Sequence, residues 1–146
     1  MVVEIKTFDE LHIRELYQIL QLRSEVFVVE QHCAYQDLDG KDYRALHITG
    51  KKNDSPVAYA RIFGPGDYFE EVSIGRVIVK KEERGQGFGF LIMEASLKVI
   101  TDRFGSVPIC ISAQKYLTKF YNSQGFIEMG NEYLEDGIPH FKMLRK

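Results

Sequence analysis

The sequence predicts an α+β fold in which helices pack on a mixed β-sheet of about seven strands. Short runs that are apolar or alternate with polar residues recur along the chain, as is typical of strands. A long helical pattern, Phe88–Phe104, joins two of these runs, and its length suits a parallel βαβ crossover. Because 146 residues suit one core, we expect a single domain over residues 1–146.

The elements follow one another in the order β-α-α-β-β-β-α-β-α-β-β. The predicted strands are Val2–Lys6, Tyr43–Thr49, Val57–Phe63, a run ending at Val77–Val79, Val107–Ala113, Phe126–Met129 and Phe141–Arg145. The predicted helices are one that starts at the capping-box pattern Thr7–Glu10, a continuation over Leu22–Gln31, the long Phe88–Phe104 and a short Tyr116–Ser123.

Composition excludes several classes of function. The net charge of −2 gives no reason to expect binding to nucleic acid or to an anionic membrane. No apolar run approaches the ~20 residues of a membrane helix, and the first residues lack the pattern of a secretory signal. Two cysteines make no disulfide framework, and the histidines and cysteines show no metal-ligand spacing. We therefore expect a reduced, cytoplasmic protein without a metal.

Three glycines at alternate positions, Gly85, Gly87 and Gly89, lie between an apolar strand and the long helix. The first turn of a helix has unpaired N–H groups and a partial positive charge, so this arrangement is suited to hold phosphate. A Walker loop would need Gly-Lys-Ser/Thr, and a Rossmann fingerprint would need G-x-G-x-x-G with an acidic residue near Val107. Neither is present. The alternative is a turn that only connects the two elements.

The sequence motif Arg84-x-x-Gly87-x-Gly89 resembles the coenzyme A signature of the GNAT N-acetyltransferase superfamily, R/Q-x-x-G-x-G/A. Further segments resemble this superfamily or its ElaA-like branch: Leu22–Gln31 with Asp39–Lys41, Phe120–Phe126 and Glu135–His140. The resemblance covers most of the chain. It implies a mostly antiparallel central sheet with helices on both faces, and an acetyl-CoA-dependent N-acetyltransferase that acts on the amine of a small molecule or peptide.

The resemblance also implies which residues bind the co-substrate acetyl-CoA. These are the glycine-rich loop, the preceding strand and one later amide: Val77, Ile78, Val79, Arg84, Gly85, Gln86, Gly87, Phe88, Gly89 and Gln114. Backbone N–H groups of the loop would cradle the pyrophosphate, and the strand would bond the pantetheine arm. Gln114 stands where many members have an asparagine that contacts the pantetheine arm, and its amide could serve in the same way.

Acetyl transfer needs a proton donor for the leaving sulfur and a proton acceptor for the amine. Tyr121 is the predicted general acid, because it lies in the segment that resembles FYxxxGF; the alternative is a tyrosine that only packs its ring. Glu30, Glu71 and His140 are candidate bases, and a water chain could replace them.

The acceptor is left open by the sequence. Arg23, Arg61 and Arg76 lie in apolar surroundings, where they would either grip an acidic group of the substrate or pair with carboxylates. Several carboxylates favour a cationic amine instead, or only solvate loops: Asp37, Asp39, Glu70, Glu71, Glu135 and Asp136. A non-catalytic acyl-CoA sensor or protein-interaction module is the second hypothesis, and strand exchange would be a route to a homodimer.

Overall fold

One seven-stranded sheet runs through the molecule, which a computed structural model describes over residues 1–146. Numbered β1 to β7 in chain order, the strands are Val2–Thr7, Leu46–Lys52, Ser55–Phe63, Val72–Val79, Ile109–Gln114, Ile127–Glu135 and Ile138–Arg145. Their spatial order is β1-β2-β3-β4-β5-β7-β6, and β4–β5 is the only parallel pair. The mixed, mostly antiparallel sheet of seven strands is confirmed.

Helices cover both faces of this sheet. They are α1 (Ile13–Ser24) with its continuation as a π-helix (Glu25–Glu30), α2 (Phe88–Phe104) and α3 (Thr118–Asn122). Side chains alternate between the faces of a strand, so Tyr59 of β3 packs with Ile19 of α1 while Ala58 and Ala60 join the larger core with α2. We call these sides the α1 face and the α2 face. None of the helices is both long and apolar enough to cross a membrane.

Strands β4 and β5 are paired only at their beginnings, through Val72–Ile109 and Ser73–Cys110. Beyond this point β4 carries an extra residue relative to β3, and Arg76 adopts a positive φ of 51°. Such a bulge bends the strand that carries it. The two strands therefore diverge, and a gap opens between their carboxyl ends.

The first helix begins later than predicted. The capping box at Thr7 is present, but it starts only a single 3₁₀ turn, Phe8–Glu10. The backbone then becomes extended at Leu11, whose side chain packs against the apolar cluster of α1. α1 itself begins at Ile13, where the imidazole of His12 accepts a hydrogen bond from the backbone N–H of the first turn.

Three strands differ from their predicted bounds by three residues or more: β2, β6 and β7, the last of which begins at Ile138 instead of Phe141. Strand β2 begins at Leu46 instead of Tyr43, because Asp42–Arg44 forms a 3₁₀ turn that carries the Asp42 carboxylate into the interior. Strand β6 continues well beyond its predicted end at Met129. It does so through a bulge that contains Gly130 with a φ of 74°, and this irregularity interrupts the alternating pattern that marks a strand.

Candidate active site

A cavity of about 340 Å³ occupies the gap between β4 and β5. Its walls come from these two strands, the π-helix, α3 and the turn between β6 and β7. Of its 24 lining residues, 14 are hydrophobic, and the polar ones include the groups that could carry chemistry. This combination is typical of small-molecule sites. We call it the main cavity.

Six of the ten residues predicted to bind the co-substrate line the main cavity: Val77, Ile78, Val79, Arg84, Gly89 and Gln114. The other four form the loop into α2: Gly85, Gln86, Gly87 and Phe88. Because Arg84 and Gly89 flank this loop, the loop lies at the edge of the cavity. The structure thus brings all ten residues to one place, and their contact with coenzyme A stays a prediction.

The loop has the geometry of an anion site. Gly85 and Gly87 have φ values of 83° and 78°, which strain most L-residues, and Gly87 is the N-cap of α2. A Cβ built on Gly87 would meet no atom within 4 Å, so its surface is open to a ligand. The N–H groups of the first turn of this 17-residue helix have no helical partner. These features fit the pyrophosphate of coenzyme A.

Arg84, the first residue of the signature, is held by Glu30 at the end of the π-helix. Two guanidinium nitrogens donate to the two carboxylate oxygens at 2.5 and 2.8 Å, and Nε donates to the carbonyl of Val79 at 3.0 Å. The hydrogen bonds from Arg84 lower the pKa of Glu30. Because both oxygens of Glu30 are engaged, the geometry favours a role in positioning Arg84 over the predicted role as a base.

The next residue, Gln31, reaches the opposite side of the gap. Its amide and that of Gln114 at the end of β5 donate to each other, at 3.1 and 3.2 Å. Both amides line the main cavity. The end of the π-helix therefore contacts both sides of the cleft through two consecutive side chains.

Tyr121 lies in the wall of the main cavity on the α2 face. Its side chain packs among aromatic rings, including Phe120 and Phe126, and is 6% exposed. Burial raises the pKa of the phenol well above its usual value. No group of the protein is hydrogen-bonded to its hydroxyl, which lies at the cavity surface. A neutral, unpartnered O–H is the species that a general acid requires.

His140 belongs to a hydrogen-bonded network on the α1 face. Its Nδ1 lies 2.7 Å from the carbonyl oxygen of Ile138, so Nδ1 carries a hydrogen and donates it. Its Nε2 lies 3.3 Å from one carboxylate oxygen of Glu135. The other oxygen accepts from the Ser112 hydroxyl at 3.3 Å, and Ser112 is also bonded to the hydroxyl of Tyr133. Nε2 is therefore the atom of His140 that can exchange a proton.

The third predicted base, Glu71, is not brought to the site. It directly precedes β4, which lines the main cavity only from Ile74 onward. Glu71 lines neither the main cavity nor the smaller neighbouring cavity of about 50 Å³. No group of three or more histidine, cysteine or acidic side chains is placed to hold a metal ion.

The three arginines predicted to grip an acceptor pair with aspartates instead. Together they form the buried ion cluster: Arg23, Arg61, Arg76, Asp37, Asp39 and Asp42. Asp42 accepts from Arg23 at 2.7 Å and from Arg61 at 2.9 Å. Asp37 accepts from Arg23 at 3.0 Å and from Arg76 at 2.7 Å. Three positive and three negative charges therefore compensate one another.

This cluster corrects the expectation for the arginines. Arg23 and Arg61 are 0% and 1% exposed, and Asp39 holds Arg61 through two further hydrogen bonds of 3.0 and 2.6 Å. Arg23 lines neither cavity, Arg61 lines only the smaller one, and Arg76 alone lines the main cavity. A buried guanidinium requires compensating charge, which explains why acids of the loop before β2 turn inward.

The folded protein should lose stability in acid because of this cluster. Burial alone would raise the pKa of Asp39 and Asp42, but hydrogen bonds and charge from Arg61 and Arg23 outweigh it and lower both pKa values. The unfolded chain therefore binds protons at a pH where the folded chain does not. Urea-unfolding midpoints should be constant from pH 7 to about 5 and should fall below about pH 4, the ordinary range of aspartate.

The variant Asp39→Asn gives the control for this pH dependence. It should be less stable than the wild type at pH 7, and its stability should fall less steeply between pH 5 and 3, because one titrating carboxyl is gone. An unchanged slope would show that other acids cause the loss.

Sequence reasoning missed three polar residues of the site: Gln31, Ser112 and Tyr133. A signal existed for Ser112, which interrupts the apolar run Val107–Ala113 on one face. None existed for Gln31, since its partner Gln114 is 83 positions away. Tyr133 lies beyond the bulge of β6, outside the predicted strand.

Comparison with known proteins agrees with this architecture. Residues 9–146 match the acetyltransferase (GNAT) domain family. Protein ElaA of Escherichia coli K12 is 48% identical over 140 residues, which are 94% of this chain and 92% of ElaA. The crystal structure of Escherichia coli ElaA has a TM-score of 0.93 at 45% identity, and that of an acyl-CoA N-acyltransferase from Pseudomonas aeruginosa has 0.94 at 39%. Each comparison covers 99% of both chains. The chain therefore belongs to the GNAT acetyltransferase family and is similar throughout to ElaA.

Proposed function

We propose that this protein is an acetyl-CoA-dependent N-acetyltransferase that transfers the acetyl group directly to the amine of a small molecule or peptide. The observation that carries the proposal is that one cavity joins an anion-binding loop to two proton-transfer groups. Tyr121 reaches this cavity from the α2 face and His140 from the α1 face. Membership in an acyltransferase family supports the same reaction class.

The chain offers three kinds of contact to the co-substrate. The loop Arg84–Gly89 offers backbone N–H groups and one guanidinium to the pyrophosphate. Beyond Ser73 the edge of β4 has no partner in β5, so its backbone groups in the gap can bond the pantetheine arm. The paired amides of Gln31 and Gln114 lie beside this edge. When bound there, acetyl-CoA supplies an activated acyl thioester.

Proton transfer is assigned to the two groups on opposite faces. As the amine nitrogen bonds to the acyl carbon and the C–S bond breaks, Nε2 of His140 accepts the proton that the nitrogen loses. The Tyr121 hydroxyl donates its proton to the departing sulfur. Glu135, 3.3 Å from Nε2, stabilises the imidazolium that forms.

Direct transfer is favoured over a covalent enzyme intermediate. Burial raises the pKa of the Cys110 thiol to about 11, so it carries little thiolate at neutral pH. The Cys33 thiol donates to the carbonyl of Asp136 at 3.3 Å and has no neighbouring base in a nucleophile arrangement.

The proposal is tested by two measurements on the purified protein. Calorimetric titration should show binding of acetyl-CoA, and a thiol-release assay with a panel of amines should show turnover, with the acetylated amine identified by mass. Binding without turnover on any amine would favour the non-catalytic sensor. Absence of binding would overturn the proposal.

Replacing Glu30 by glutamine should leave the turnover number within about threefold of the wild type. Because the carboxylate no longer neutralises Arg84, KM for acetyl-CoA should fall by about two- to fivefold, the range of an exposed ion pair. Glu25→Gln, at the start of the same π-helix, is the matched control and should change neither constant. A hundredfold loss of turnover in Glu30→Gln would instead identify Glu30 as the base.

A further inference from the structure

The charged side chains that line the main cavity indicate which amine it accepts. There are five: Arg76, Arg84, Glu135, Asp136 and His140. Arg84 belongs to the co-substrate side and is paired with Glu30. The remaining four lie on the acceptor side, around the α1 face of the sheet and the turn between β6 and β7.

The positive charge of Arg76, the arginine on this side, is already neutralised by aspartates and is not available to an acidic substrate. Nε of Arg76 donates to the Asp37 carboxylate at 2.7 Å, and another of its nitrogens donates to the Asp37 carbonyl at 3.0 Å. A second carboxylate, Asp39, lies 3.6 Å from the same guanidinium. Since the whole buried ion cluster is neutral, a substrate carboxylate would have to compete with an aspartate that is already in place.

The other three groups give the acceptor side a net negative charge. Asp136 makes no ion pair and is exposed at the turn, while Glu135 faces only the imidazole of His140 and the hydroxyl of Ser112. With a neutral imidazole the three groups carry about −2, and with a protonated one about −1. The sign is the same in both states, so an ammonium group is attracted and a carboxylate is repelled.

Apolar groups complete this part of the wall. Val26 and Phe27 of the π-helix line it, and the rings of Phe27 and Tyr35 already face the Arg76 guanidinium at 5.8 Å. Such a surface suits a methylene chain. On the opposite wall of the same cavity, the side chain of Tyr121 is 6% exposed and its hydroxyl has no partner in the protein, which independently indicates a ligand in the cavity.

We propose that the acceptor is a cationic amine that carries no carboxylate near its reacting nitrogen, and that Asp136 with Glu135 selects it. This inference rests on the proposed acetyl transfer for its chemistry but concerns ligand binding by itself. A second ammonium group on the acceptor is favoured, since Asp136 at the turn can hold it while the reacting nitrogen faces His140.

The test uses three matched five-carbon amines: pentane-1,5-diamine, pentylamine and 5-aminopentanoate. Their binding to the protein saturated with coenzyme A is measured by calorimetry, and their acetylation is measured by thiol release. The diamine should bind about three- to fivefold more tightly than pentylamine, and 5-aminopentanoate more weakly than pentylamine by a similar factor, which is the range of one exposed charge pair. These ratios should shrink towards one in 1 M salt.

Asp136→Asn should reduce the preference for the diamine over 5-aminopentanoate by about threefold or more. Asp54→Asn is the matched control, because Asp54 is also an exposed aspartate with positive φ in a hairpin turn, but does not line the cavity. It should leave the preference unchanged. The inference would be overturned if 5-aminopentanoate bound to the wild type as tightly as the diamine or more tightly. It would also be overturned if none of the three amines bound. Preferential binding of the diamine without turnover of any amine would support this inference and overturn the proposed acetyl transfer.

Discussion

Replacing Gly87 by aspartate should abolish measurable binding of acetyl-CoA. The N-cap of α2 has a φ of 78°, and its surface is open where the pyrophosphate would lie. A carboxylate there would face a doubly charged group, and at about 4 Å a single pair of like charges costs about 4 kcal/mol, or roughly a thousandfold in Kd. Calorimetric titration of wild type and variant measures the effect directly.

Gly87→Asn separates charge from shape. Asparagine has the size of aspartate and tolerates positive φ equally well, so folding should be affected alike in the two variants. The Gly87→Asn variant should bind acetyl-CoA more weakly than the wild type by about tenfold or less, because asparagine adds bulk without charge repulsion. Equal loss in both variants would mean that the loop excludes any side chain, and undiminished binding in Gly87→Asp would mean that the pyrophosphate lies elsewhere.

Replacing Tyr121 by phenylalanine should lower the turnover number by about a hundred- to a thousandfold, the usual range for loss of a general acid. Affinity for acetyl-CoA should change by less than about threefold, since the ring and its aromatic neighbours remain. Because burial raises the pKa of this phenol, the proton stays available throughout the pH range of an ordinary assay.

Tyr116→Phe is the control for this variant. Tyr116 also lines the main cavity, but it is 72% exposed, so loss of its hydroxyl should change turnover by less than about threefold. If Tyr121→Phe kept nearly full turnover, the leaving sulfur would have to take its proton from another group or from water.

The parts of this site that are continuous in the sequence could be predicted. The glycine-rich loop can be recognised in the sequence because Gly85, Gly87 and Gly89 stand at alternate positions between a predicted strand and a predicted helix. Tyr121 could be singled out because its neighbours resemble a known segment, and the structure places it in the wall of the main cavity, while its role as an acid stays a prediction. The βαβ unit was found from the length of α2, since a crossover of that length joins parallel strands.

The parts that depend on distant pairing could not be predicted. Glu30 binds Arg84, which lies 54 positions later in the sequence, and no local sequence pattern around either residue identifies the other as its partner. The arginines of β3 and β4 had two open interpretations, and only the fold shows that the loop before β2 turns its aspartates towards them. The bulge at Arg76 also lacks a signal, although it causes the gap in which the site lies.

The neutrality of the buried ion cluster has a consequence for how this chain can change over generations. Asp42 serves Arg23 and Arg61 at once, so replacement of any one of these residues leaves an uncompensated interior charge that costs about 3–5 kcal/mol. That cost approaches the free energy of unfolding of a marginally stable domain, about 5 kcal/mol. We therefore expect a charge change at one of these three residues to be tolerated only together with a compensating change at a partner.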